Sequence, residues 1–333
     1  MIRQINAVSV SRIALKQQME PHPRKFLATA AVVSAASTAA ASPLVRAFVK
    51  ELGVLDHPNH RSSHVAITPR SGGLACIAGA AVASIFKDNG YSHLASPTTT
   101  ALVGLLDDLT GDISPGIRLI AQATVGALTG RAVGSSVGGF VLFPAVVNIA
   151  NFMDGINGIT GLTFVVWGTH AASLSELQLE DRWLAAIAAG AALGFLPFNM
   201  PDASMFLGDV GSYFFGSLAA TVITHSLGAG PKVFLQVCAP LAIYGTDAVQ
   251  AIMSGRRQGA AVTSPHRRHI YQQLVDDGRL SHTHTSLITA GCALLTGLLL
   301  RKDVTPLRLM ATGVVATGYL LAPSLARRLI SCE

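Results

Sequence analysis

The 333-residue chain is 50% hydrophobic and only 13% charged, with a formal net charge of +6. A soluble domain carries about 25% charged residues, so this balance, with a mean hydropathy of +0.48, excludes an ordinary soluble fold and indicates an integral membrane protein. The basic residues are spread through loops with no interleaved aromatic patch, which argues against nucleic acid and for loop charge beside a lipid bilayer and an anionic ligand.

Residues 1–25 read as a disordered basic lead, with Arg3, Arg12, Lys16, Arg24 and Lys25. The Ala-rich run Leu27–Ala41 has the look of a signal segment but lacks a convincing cleavage context, so it reads as a first transmembrane helix. Crossing the hydrocarbon core takes about 20 mostly apolar residues. Candidate spans are Phe26–Val49, Gly72–Phe86, Leu94–Leu106, Ile117–Val133, Gly138–Phe152 and Ile159–Leu174. Trp183–Phe198, Val210–Leu227, Val233–Met253, Ser286–Leu300 and Leu307–Leu325 follow. Several are short, which local thinning or shielding within a bundle accommodates. The third is the weakest. Lys87–Pro97 leaves little apolar length before Asp107, so that segment is either truncated or re-entrant. Neither a repeat nor a linker divides the chain. Residues 26–328 therefore read as a single all-α domain, a polytopic transmembrane helix bundle of about 10–11 spans.

Cys76, Cys238, Cys292 and Cys332 form no CxxC pair, and they read as small apolar residues rather than zinc ligands or disulfides. If every span crosses, the loops holding Lys50, Arg61, Arg70, Arg118, Arg256, Arg257, Arg267, Arg268 and Arg279 share one side. The basic excess makes that side cytoplasmic. The basic lead would then face outward, but the sum over many loops outweighs it.

The unusual polar residues collect on that same side. His57, His60 and His64 have irregular spacing, so a solvated loop is a better reading than a metal site. Arg61, His64 and Arg70 suit anion recognition instead, since arginine grips phosphate with two donors and Gly72-Gly73 opens a helix. Asp107 and Asp108 end the third span. Adjacent carboxylates repel unless a cation, a proton or solvent relieves them, so a magnesium or base role stands against a solvated helix end, with Arg118 as counter-ion. The stretch Asn148–Gly161 sets Asn151, Asp154 and Asn157 among glycines that let backbone approach a ligand. In Phe206-Leu-Gly-Asp209-Val-Gly-Ser212 the acid is either a helix cap or a ligand-binding group, and Phe206 can stack on a base. His266 and His269 share a helical face beside Arg267 and Arg268, which reads as a site or as a basic membrane-surface segment. Asp247 reads as a helix-end counter-ion to Arg256 or Arg257, and His282 and His284 as surface residues.

Taken in order from Leu52 to Gln273, these motifs resemble the polyprenyl-phosphate N-acetylhexosamine-1-phosphate transferases, which include phospho-N-acetylmuramoyl-pentapeptide transferase. The resemblance rests on Pro58–His64, Gly104–Asp108, Asn148–Gly161, Phe206–Ser212 and Ser264–Gln272. It implies transfer of a sugar-1-phosphate from a UDP-N-acetylhexosamine, or a deoxy relative, to undecaprenyl phosphate, with UMP released. It assigns catalysis to Asp107, Asp108, His266 and His269, and a magnesium (or manganese) ion to Asp209. It assigns the nucleotide to Asn151, Asp154, Asn157 and Phe206, and phosphate and sugar to Arg61, His64, Arg70 and Arg267. The His-Arg-Arg-His and Arg-Ser-Ser-His segments resemble those of enzymes that begin O-antigens and other bacterial surface glycans. This implies a multi-pass protein of the bacterial inner membrane with a cytoplasmic active site, and a homodimer is compatible with it. Two departures stand out: the family carries a second acid where this chain has Asn157, which can bond to uracil or ribose but cannot act as a base, and Phe86–Leu102 is short, which removes membrane-spanning length beside Asp107 and Asp108. The rival readings are a secondary transporter with membrane-edge acids and a diverged, inactive relative.

Overall fold

A computed structural model describes residues 22–58, 66–111, 113–257, 269–276 and 280–330. The chain is an all-α helix bundle, and its one sheet among the described residues is the two-residue antiparallel pair β1 (Leu55–Asp56) and β2 (Thr68–Pro69). The helices are α1 (Pro23–Glu51), α2 (Gly73–Ser84), α3 (Gly90–His93), α4 (Ala95–Thr110), α5 (Pro115–Arg131), α6 (Ser136–Met153) and α7 (Ile159–Ala172). They continue with α8 (Leu179–Asn199), α9 (Gly208–Ala229), α10 (Pro231–Cys238), α11 (Ala242–Arg257), α12 (Ile270–Asp276), α13 (His282–Leu300) and α14 (Pro306–Ile330). Each predicted span corresponds to a helix, and the ninth to a broken one.

Among the described residues, α1, α6, α13 and α14 are long and apolar enough to cross a membrane. Helix α1 opens on Pro23, where the missing N–H costs nothing, and buries Leu27, Ala30, Ser34, Thr38 and Ser42 along one stripe. These small residues let α1 lie close against α2 and α8, the packing mode of helices in lipid. Helix α9 is buried continuously from Val210 to Thr224, as suits a helix enclosed by α2, α4, α6 and α8.

The third span forms a helix but a short one: α4 runs for 16 residues, about 24 Å at helical rise, and lies along α9. The polar turn before it docks on α8, with Lys87 Nζ 5.7 Å above the Trp183 ring and His93 edge-on to the same ring. The ninth span breaks into α10 and α11 at a 3-10 turn over Ala239–Leu241. Pro240 lies in that turn and brings no N–H to a continuous helix. Beside the break lies an apolar cavity of about 320 Å³, lined by residues that include Val146, Ala150, Phe164, Leu241 and Tyr244.

Candidate active site

Five segments distant in sequence meet at one end of the bundle. Helix α4 ends there with Asp107 and Asp108, α5 begins near Arg118, and α6 ends with Asn151 and Asp154. Helix α9 starts at Gly208-Asp209, and Arg70 follows β2. Close approach makes this meeting tight. A Cβ on Gly104 would lie 2.4 Å from the Asp209 carbonyl oxygen, so only glycine lets α4 cross the first turn of α9 here.

Asp108 has no exposed side-chain surface. Arg70 Nε donates to its Oδ1 at 3.0 Å, and Arg70 Nη2 pairs with the same oxygen. Ser71 Oγ donates to Oδ2 at 2.8 Å. The backbone amides of Asp209 and Val210 donate to it at 3.0 and 3.2 Å. These are first-turn amides of α9 that have no partner within their own helix, and a carboxylate also complements the positive end of the helix dipole. Asp108 thus caps α9 from a different helix. Gly208 completes the join, with φ +75° and a hypothetical Cβ 2.5 Å from Asp108 Oδ2.

Asp107 faces the other way. Its Oδ2 pairs with Arg118 Nη1, and its Oδ1 accepts the Ile113 amide at 3.3 Å. The same Arg118 nitrogen is 3.6 Å from Asp209 Oδ2. Asn151 Nδ2 donates to Asp209 Oδ1 at 3.0 Å and to Ser212 Oγ at 2.9 Å, which fixes the Asp209 carboxylate. Two carboxylates therefore flank one cationic position. Their side chains keep 12% and 26% exposure, so solvent and ligand can reach them where they cannot reach Asp108. No group of three or more His, Cys, Asp or Glu surrounds a common point among the described residues. Two hard carboxylates with remaining positions left to water and phosphate fit magnesium, which keeps several waters and seldom takes an all-protein cage.

The remaining predicted residues take several positions. Asp154 follows α6 and is half-buried; burial pushes its carboxyl up to about 7, and the nearby Asp108 charge adds to the effect. Asn157 Nδ2 donates to the Pro201 carbonyl at 2.9 Å, a bond that an ionised aspartate could not make. The Asn157 carbonyl accepts from Ser286 Oγ at 2.8 Å, which ties the turn to α13. Phe206 is half-buried, and its backbone pairs with Pro69 and Gly72 at 2.8 and 2.9 Å. His269 precedes α12, with Nδ1 2.8 Å from Asp247 Oδ1. Arg61, His64, His266 and Arg267 lie outside the described residues. Asp247 pairs with His269 and not, among the described residues, with Arg256, while the Arg257 side chain lies outside the described residues. The sequence signal of Asp247 was an acid inside an apolar span, which is costly without a specific partner. Ser71 gave no such signal.

The fold and the site define an integral membrane helix bundle with acids, arginines and amides gathered at one end. Residues 91–228 match the model of glycosyl transferase family 4, a stretch that holds Asp107, Asp108, Arg118, Asn151 and Asp209, so the resemblance read from the motifs is borne out. The chain is 26% identical to a decaprenyl-phosphate N-acetylglucosaminephosphotransferase of Mycobacterium tuberculosis, over 85% of this chain and 83% of that protein. It is 27% identical to a probable undecaprenyl-phosphate N-acetylglucosaminyl 1-phosphate transferase of Bacillus subtilis, over 79% of this chain and 80% of the relative. An undecaprenyl-phosphate alpha-N-acetylglucosaminyl 1-phosphate transferase of Escherichia coli is also 27% identical, over 76% of this chain and 77% of its own.

Proposed function

We propose that the chain transfers an N-acetylhexosamine-1-phosphate, or a deoxy relative, from a UDP-sugar to undecaprenyl phosphate, with magnesium as cofactor. The lipid-linked diphosphate sugar would begin a cell-surface glycan made at the bacterial inner membrane. The observation that carries this reading is the pair Asp107 and Asp209 facing one cationic position across Arg118. In the reaction, an acceptor phosphate oxygen bonds to the sugar-bearing phosphorus. The bond from that phosphorus to the bridging oxygen breaks, and UMP leaves with the electron pair. Magnesium, when bound, would neutralise charge on the diphosphate. Asp107 and Asp209 would hold that ion. Arg118, which meets both acids, would bind a phosphate oxygen, a partner that suits a guanidinium. Asp107 would orient the acceptor phosphate or take its proton, while Asn151 would keep Asp209 aimed. The apolar cavity at the break between α10 and α11 suits part of the acceptor's hydrocarbon chain.

The test incubates membranes containing the protein with undecaprenyl phosphate, magnesium and a panel of labelled UDP-amino sugars. UMP and a lipid-linked product are expected with at least one donor. Chelation should stop the reaction, and magnesium or manganese should restore it. Asp209→Asn should abolish metal-dependent turnover. Failure with every donor would overturn the reading, and full activity of Asp209→Asn would overturn the metal assignment alone.

A further inference from the structure

Asp247 lies in α11 with no exposed side-chain surface, away from the carboxylates that meet Arg118. Its Oδ1 accepts from His269 Nδ1 at 2.8 Å and from the Ile270 amide at 3.1 Å. Its Oδ2 accepts from the Tyr271 amide at 3.3 Å and the Tyr319 hydroxyl at 2.9 Å. An ionised carboxylate is acceptor-only, so it suits all four donors at once. That sets the histidine tautomer. With an ionised Asp247 the proton would sit on Nδ1, and Nε2, across the ring, points away from Asp247.

The imidazole is also fixed in orientation. It stacks on the Tyr271 ring with centroids 5.4 Å apart and an interplanar angle of 27°. The Tyr271 hydroxyl donates to the Phe152 carbonyl at 3.1 Å, just before Asp154. A Cβ on Gly155 would lie 2.1 Å from that hydroxyl, so the turn after α6 and the start of α12 are in contact. The histidine side chain keeps 13% exposure, while its carboxylate partner keeps none. Asp247 thus binds no ligand itself but controls a ring that stands beside the Asp154 turn.

We propose that Asp247 is a positioning residue: it fixes His269 with Nδ1 protonated, so that Nε2 is presented to the phosphate-bearing donor. This rests on the transferase reading above. A carboxylate that orients a functional histidine is a recurrent device, and its loss costs about 10- to 100-fold in the metal sites where it has been measured. Capping of α12 alone would predict something different, because an asparagine can still accept amide bonds there.

Asp247→Asn, His269→Ala and the double variant separate the two roles. Asp247→Asn is expected to lower kcat by about 10- to 100-fold, read on protein that still folds with a single melting transition. The double variant should be no slower than His269→Ala, since the aspartate acts through the ring. Losses that multiply, or a kcat unchanged in Asp247→Asn, would overturn the proposal. A second readout does not depend on turnover. In histidine-labelled protein in detergent, nitrogen NMR should show His269, identified by its loss in His269→Ala, as the Nδ1-protonated tautomer. Asp247→Asn should abolish that preference. If the wild type forms no product with any donor, the transferase reading fails, and the tautomer still decides whether Asp247 positions His269. An Nε2-protonated ring in the wild type overturns the positioning.

Discussion

Asp108 is enclosed by Arg70, Ser71 and two amides of α9, while Asp107, its neighbour, meets Arg118 at a surface that solvent reaches. The pair therefore divides its labour. Removing the Asp108 carboxylate leaves Ser71 and two amides of α9 without their acceptor, and each buried donor left unsatisfied costs about 1–3 kcal/mol. Asp108→Ala should lower the melting temperature in detergent by several degrees or prevent folding. Asp107→Asn should leave that temperature nearly unchanged and abolish product formation; the opposite pattern would reverse the two roles. Asp154 supplies a pH test. Its carboxyl is pushed up to about 7, so between about pH 4 and 7 the folded chain holds a proton that the unfolded chain has released. This contribution to stability is fully present at acid pH, falls as pH rises through that window, and is level above it. Asp154→Asn should flatten that part of the melting-temperature profile, and an unaltered slope would assign it to another group. The acids themselves were legible in the sequence because charge at a membrane edge is conspicuous. Which acid caps a helix and which stays open to solvent was not, since the partners of Asp108 lie 38 residues before it and 101 after it.

Helix positions were legible for the same reason that membranes constrain proteins: each span needs a long apolar run, and little else in the chain has one. The exceptions have local causes. The third span is short, 16 residues in α4, and its polar lead carries Lys87 and His93, whose docking on Trp183 is a contact between distant segments. The ninth looked continuous because Pro240 sits among apolar residues, where composition does not reveal a break. Helix crossings were not legible at all, although they set the distance between the acids. Gly104 is the clearest case. A methyl group there would stand 2.4 Å from the Asp209 carbonyl oxygen and 2.6 Å from its carbon, so α4 must move away from α9. A displacement of about 1 Å between reacting groups costs on the order of 100-fold in rate. Gly104→Ala should therefore lower kcat by about that factor while the protein still folds, as judged by a single sharp melting transition. Undiminished turnover would show that the α4–α9 spacing does not set the reactive geometry.

At the scale of the whole molecule, the bundle is polarised. Asp107, Arg118, Asn151, Asp154, Asp209 and His269 lie at one end of their helices, and the exposed pair Lys232 and Asp303 marks the opposite end, 3.8 Å apart. The loop after α8 belongs to the first end, because Pro201 accepts from Asn157. The function proposed above needs that end to face the cytoplasm, where a soluble nucleotide-sugar would be found, and the basic excess of its loops supports this. Asp202→Cys and Asp303→Cys test this arrangement directly, since both positions are exposed at opposite ends. A membrane-impermeant thiol reagent added to cells with a permeable outer envelope should label Asp303→Cys and spare Asp202→Cys. Inverted membrane vesicles should give the reverse. The native Cys76 is buried and provides no competing signal, and the unsubstituted protein supplies the background for the others. Labelling of Asp202→Cys from outside would turn the bundle over, and it would separate the carboxylate cluster from any cytoplasmic donor.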